Sequence, residues 1–343
     1  MKKILFNFLK LAVSLGLGIA LVFWFVSKMT PDQKQDTIDA FKRANYFWII
    51  LAPMLGLISN LSRAQRWRQL LEPTGHKPGY WNTYFSVMMM YFFNLFFPRL
   101  GEVTRCGMLA RYENVPLDKS IGTMVVERVV DLVSILIIGS VLLLVEYDRL
   151  FAFFEKNVLN KQAAPDEGFD ITKWLVLVVI GLAVVGGVLY VQRKYGFAKL
   201  KAIIKERLLG FAEGLKSIRY VKNPVEFIFH SLFIWVCYYL MIYLSFPALP
   251  ETTGIGFFAG MACLFFGGFA IVATPGGIGV YPLFIQQVLL LYGVNETIGY
   301  AFGSVVWAAQ MASILIGGTI TLILLAILNR QPALNTQPLN TKP

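Results

Sequence analysis

The sequence predicts an all-α polytopic membrane protein of about six full spans plus two opposed Pro/Gly-broken hairpins in an inverted repeat. Three observations carry this. Hydrophobic residues make up 57% of the chain and charged ones 15%, where a soluble domain has roughly 45–50% and 25%. Mean hydropathy is +0.62. Several continuous apolar runs approach the roughly 20 residues that cross a bilayer, and none alternates as a barrel strand would.

In chain order, residues 11–26 form an apolar run behind a basic start, Lys2-Lys3. It resembles a signal peptide but is long, and Ser27-Lys28-Met29-Thr30-Pro31 is a poor cleavage site, so a retained first span is expected. Residues 32–43 read as a short polar connection and 46–61 as the second span. Arg63, Arg66 and Arg68 follow at once, a density that marks a cytoplasmic end. Residues 81–97 are apolar, then broken by Pro98 and Gly101 among Arg99, Glu102 and Arg105. Spans follow at 121–145 and 174–191, separated by a polar loop at 149–173. Residues 193–222 hold nine basic and two acidic residues, and an apolar stripe at steps of three and four predicts an amphipathic surface helix over about 195–220. Residues 227–246 span again. Residues 255–273 run into Pro275-Gly276-Gly277-Ile278-Gly279, 281–292 return, and 298–328 form the last span. Residues 1–330 are thus one transmembrane domain, and 331–343 a disordered tail.

Pro98 aligned with Pro275 brings the same order into register in both halves, about 46–146 and 223–328: a span, a Pro/Gly-broken segment, then a long Gly-containing span. Basic residues on cytoplasmic sides place both termini inside, and span parity then makes one broken segment a hairpin from the inside and the other a hairpin from the outside. Backbone freed at such breaks is tolerated where it is buried in protein or lines a cavity. Two ordinary kinked helices are the plainer alternative.

Charges inside apolar segments are costly and need a partner or a task. The uncharged run after Asp131 is too short to cross, so the helix extends back over Asp131 to Glu127, and Arg128 can pair with Asp131 at i,i+3. Glu127 and Asp131 either lock to the arginines of 63–66 or 99–111, or line a cationic site. Arg63, Arg66, Arg99 and Arg105 are candidates for gripping a phosphate-bearing headgroup, with Glu102 expected to pair with one of the nearby arginines. Arg111 reads as ordinary cytoplasmic charge. Trp307 and Gln310 are polar atoms within the last span that need partners, and Gln310 joins the candidate lining. Gly276, Gly277 and Gly279, with no strand before and no Lys-Ser/Thr after, are not a nucleotide loop. Cys106, Cys237 and Cys263 show no CxxC spacing, and His76 and His230 are too few for a zinc motif, so no disulfide, metal or cofactor is expected. The net charge of +11 fits loops facing anionic lipid better than nucleic acid.

The run Phe97-Pro98-Arg99-Leu100-Gly101-Glu102, then Arg105, then Glu127-Arg128-Val129-Val130-Asp131, then Pro275-Gly276-Gly277-Ile278-Gly279, resembles the flippase-like family that includes the transmembrane region of lysylphosphatidylglycerol synthase. The resemblance covers about residues 5–328. It implies movement of lipid between leaflets of a bacterial-type inner membrane. In the synthases a separate soluble domain attaches the amino acid. With 15 residues after Leu328 no such domain is expected, and lysyl transfer is not implied. Membrane lipids with anionic or phosphate-bearing headgroups are the expected partners. The residues leave open a small-anion secondary transporter, an intramembrane lipid transferase, and a scaffold for a lipid- or glycan-modifying enzyme.

Overall fold

The structure, a computed structural model, describes Phe23, Ser27 and residues 30–97, 99–154 and 218–329. The expected spans at 11–26 (apart from Phe23) and 174–191, most of the surface helix at 195–220, Pro98 and the tail lie outside the described residues. The helices are α1 (Pro31–Arg43), α2 (Tyr46–Leu71), α3 (Tyr80–Phe96), α4 (Leu100–Glu113), α5 (Leu117–Val145), α6 (Tyr147–Phe154), α7 (Pro224–Tyr243), α8 (Phe257–Ala273), α9 (Val280–Leu291) and α10 (Glu296–Leu328). No strand occurs among the described residues. Among the described residues, four stretches are long and apolar enough to cross a membrane: Tyr46–Thr74, Leu117–Val145, Pro224–Ala248 and Glu296–Leu325.

Helix ends follow local chemistry. Asn45, Asn223 and Asn295 each accept a backbone N–H of the turn they cap, and Pro224 occupies the first position of α7. α4 ends on Asn114 in the left-handed region (φ 55°), with Val115 N–H returning to the Leu109 carbonyl at 3.2 Å. The break between α3 and α4 is closed by Gly101, whose N–H donates to Asn94 Oδ1 at 2.9 Å. A side chain at Gly101 would overlap the Met90 carbonyl, so only glycine lets the two arms approach this closely.

Two segments are more helical than the sequence suggests. Residues 32–43, read as a polar connection, belong to α1, where Gln35 and Lys42 both reach Asp39 along one face. Arg43 then pairs with Glu251 at 2.5 Å, and Asn45 N–H donates to the Ala248 carbonyl at 2.8 Å. The start of the expected polar loop at 149–173 is α6, supported by Arg149 on Glu146 (2.6 Å) and by Tyr147 stacked on Phe151.

The chain divides into two compact units, Met1–Glu127 with Val221–Pro343, and Arg128–Tyr220. In the first, α10 serves as a ruler. Near its N-terminus, Gly299 and Gly303 bring it against α9, where a Cβ would lie 3.1 Å from Gln286 Cα and 2.9 Å from Pro282 Cα. In its central third, Trp307 and Met311 meet the Pro275–Gly277 break. Further on, Gly317 and Gly318 receive Met88 and Phe92 of α3, and Leu325 packs with Phe85 and Met89. At its end Asn329 and Asn82 exchange side-chain hydrogen bonds at 3.0 and 3.3 Å. The α3–α4 hairpin therefore lies along the C-terminal half of α10, and the α8–α9 hairpin along its N-terminal half.

In the second unit, Arg128 pairs with Asp131 at 3.8 Å within α5, and Ser134 Oγ donates to the Val130 carbonyl. Asp131 is the better buried partner, its side chain 14% exposed against 42% for Arg128.

Candidate functional site

Two features of the first unit concentrate the polar chemistry. One is the meeting of the breaks. Gly276 adopts φ 61° in the Pro275–Gly277 turn, and its Cβ position lies 3.3 Å from Leu95 Cδ2, at the end of α3, and 3.1 Å from Met311 Sδ. The Trp307 indole N–H donates to the freed Gly276 carbonyl at 2.7 Å, which satisfies an acceptor that the break removed from its helix. Gly277 and Gly279 also have positive φ, and Thr274 Oγ1 donates to the Ile278 carbonyl across the turn. Arg99, at the tip of the first hairpin, is exposed and holds a left-handed conformation (φ 66°) that side chains rarely adopt.

The other feature is a buried ion cluster around Glu127. Glu127 Oε1 accepts from Arg63 at 2.5 Å, and Arg105 grips both carboxylate oxygens at 3.3 and 3.1 Å. Arg66 stands 3.7 Å from the same carboxylate. All four side chains are essentially sealed, at 3% exposure or less. Trp67 forms one wall: the Arg105 guanidinium sits 4.1 Å over its ring, and its N–H donates to Thr123 Oγ1 at 3.0 Å. Arg63 also donates to the Tyr238 hydroxyl (3.3 Å), which lies 2.9 Å from the Tyr91 hydroxyl on α3. Arg66 reaches Ser231 of α7 at 3.4 Å. A polar line thus runs from Glu127 through Arg63 and Tyr238 to Tyr91.

Sequence reasoning read Arg63 and Arg66 both as cytoplasmic-end charge and as possible partners of Glu127; the structure buries both against that carboxylate. Arg68 alone of the three keeps partial exposure, donating to the Pro78 carbonyl and to Gln65. The signal was present in residue type: arginines without lysines, three apart and beside Trp67, suit buried carboxylate recognition better than a surface charge run. Glu102, expected to pair with a neighbouring arginine, forms no ion pair among the described residues, and its Oε2 is buried without a hydrogen-bond partner. It occupies the first turn of α4, where the helix dipole favours a carboxylate, while Arg105 is turned toward Glu127. Gln310 is partly buried on α10, and its carbonyl accepts from Ser313. Trp67, Tyr91 and Tyr238 were missed, since aromatic residues in a span carry no pattern that separates a polar relay from packing. Cys106, Cys237 and Cys263 are buried free thiols. Among the described residues no group of His, Cys, Asp or Glu could hold a metal ion.

The fold and these features define a multi-pass α-helical membrane protein in which two broken hairpins meet and an arginine–glutamate cluster is buried. The chain belongs to the family described as the lysylphosphatidylglycerol synthase TM region, whose model matches residues 7–318. It is similar to the UPF0104 membrane protein MJ1078 of Methanocaldococcus jannaschii, 27% identical over 205 residues, or 59% of this chain and 80% of that protein. It is also similar to the UPF0104 membrane protein MJ1595 of the same organism, 30% identical over 87 residues, which are 24% of this chain and 26% of that protein. No solved structure matches the chain.

Proposed function

We propose that this protein is a lipid translocase of the cell (inner) membrane, with both termini cytoplasmic, and that it moves a phospholipid or lipid-linked intermediate between leaflets without itself catalysing a covalent reaction. The observation that carries the reading is the contact of Leu95 with the Gly276 turn in the central third of α10. Two hairpins that approach from opposite ends of one crossing helix, and stop where they touch, fit an inverted repeat. Each leaves a path open on its own side and a thin barrier between. Small shifts of the tips would open one side or the other.

In this reading Arg99, exposed at the first tip, contacts the headgroup phosphate, and Gln310 lines the passage below it. The Glu127 cluster holds α2, α4 and α5 together and fixes the rear wall, with Arg63, Arg66 and Arg105 as its positioning residues. Reconstituted into vesicles with a fluorescent phospholipid, the protein should let a membrane-impermeant reductant bleach inner-leaflet probe that protein-free vesicles protect. Transfer should fall sharply in Arg99→Ala. Well-folded protein that moves no phospholipid or glycolipid probe would contradict the proposal.

A further inference from the structure

The two faces of α4 do different work. Gly101, Arg105, Cys106 and Leu109 are buried, and Arg105 and Leu109 reach the Glu127 and Trp67 side. Thr104, Gly107, Met108 and Arg111 lie on the other face and line a groove of about 390 Å³ with residues of α3 and α10. That volume is within the roughly 300–1,000 Å³ of ligand pockets.

The groove is graded along its length. Met89, Phe93, Met108, Leu322 and Leu325 give it an apolar lining. At one end stand Arg111 and Tyr112, with the Arg111 guanidinium 5.4 Å from the Tyr112 ring. This is the open end of the hairpin, where Glu113 accepts from Gly79 N–H and Asn82, and Asn82 meets Asn329. Tyr80 and exposed Trp81 lie at the same level, as aromatic residues do at a membrane interface. Arg111 is exposed and makes no ion pair among the described residues. The groove therefore has a cation at interfacial depth and an apolar floor running inward beneath it, an arrangement complementary to an anionic phospholipid with its phosphate at Arg111 and one acyl chain on the floor.

Gly107 keeps the floor open. A Cβ there would meet nothing within 4 Å. Glycine inside an exposed helix is otherwise unfavourable by about 1 kcal/mol, and no backbone need explains it here, since its φ is ordinary.

We infer that the α3–α4–α10 groove is a binding site for one anionic phospholipid, distinct from the Glu127 cluster on the opposite face of α4. The inference deepens the translocase reading by supplying a docking position in the leaflet at that end. Native mass spectrometry of the purified protein, titrated with phosphatidylglycerol or phosphatidylcholine, tests it. Wild type should retain phosphatidylglycerol in preference to phosphatidylcholine by roughly fivefold, as one interfacial cation predicts, and excess inorganic phosphate should not displace it. Arg111→Gln should abolish the preference. Gly107→Leu, which improves helix propensity and fills open space, should remove binding of both lipids while the protein stays folded by circular dichroism. Wild-type lipid retention in Gly107→Leu, an unchanged preference in Arg111→Gln, or displacement by phosphate alone would each overturn the inference. Lipid held as described by a wild-type protein that transfers none would uphold the groove and contradict the translocase reading.

Discussion

The Trp307 indole N–H donates to the carbonyl of Gly276 at 2.7 Å and thereby ties the second broken hairpin to the middle of the last crossing helix. The bond answers two needs at once. It satisfies a carbonyl that its own helix no longer can, and it fixes the turn against Leu95 of the first hairpin. Trp307→Phe keeps most of the ring but removes the donor. It should cost about 1 kcal/mol by removing the donor from a half-buried acceptor, seen as a lowered unfolding temperature in detergent, and it should alter transfer rate more than a packing change elsewhere on α10.

Glu127 is the shared acceptor of Arg63 and Arg105, with Arg66 at 3.7 Å. Removing one partner from a buried ion cluster leaves like charges facing one another at low dielectric, typically a loss of 3–5 kcal/mol. Glu127→Ala should therefore fail to accumulate or should unfold well below wild type. Thermal melts of detergent-purified protein, beside Asp118→Ala on the exposed start of α5, measure the difference.

Gly318 lies against Phe92, and even a methyl group there would overlap the ring. Gly318→Ala should destabilise the α3–α10 contact by about 1–3 kcal/mol through overpacking. Gly122→Ala, on open surface of α5, should be neutral or slightly stabilising. Opposite signs in the two melts would identify packing, rather than helix propensity, as the reason for Gly318.

Much of this architecture was legible beforehand because bilayer physics writes itself into sequence. Apolar runs marked α2, α5, α7 and α10, and Pro with Gly marked both breaks. The short uncharged run after Asp131 required α5 to reach back over Glu127, and it starts at Leu117. What was not legible depended on neighbours distant in sequence. Arg66 and Arg68 are two residues apart, yet the first is sealed beside Glu127 and the second is partly exposed near Pro78. Positive-inside reasoning treats them alike. The pairing of Arg105 with Glu127 rather than Glu102 is likewise a tertiary choice, since spacing along α4 alone favours Glu102, three residues away. Tyr91 and Tyr238 lie 147 positions apart, and nothing local announces their contact.

Arg99 has φ 66°, a conformation costing a side-chain-bearing residue about 1 kcal/mol. Arg99→Gly should therefore raise stability by about that amount while lowering lipid transfer. Paired melting and transfer measurements check both halves. A variant that is stabler but less active separates the charge from the fold, whereas unchanged transfer would remove Arg99 from the proposed passage.

The most direct measurement joins the two hairpin tips reversibly. Leu95→Cys with Gly276→Cys, introduced into protein whose native cysteines are buried, places two thiols across the contact. A short, reducible bifunctional thiol reagent then links them in vesicles, with the link verified by mass. If lipid passes between the tips, transfer stops in linked protein and resumes on reduction. Equal transfer by linked and reduced protein would contradict the account.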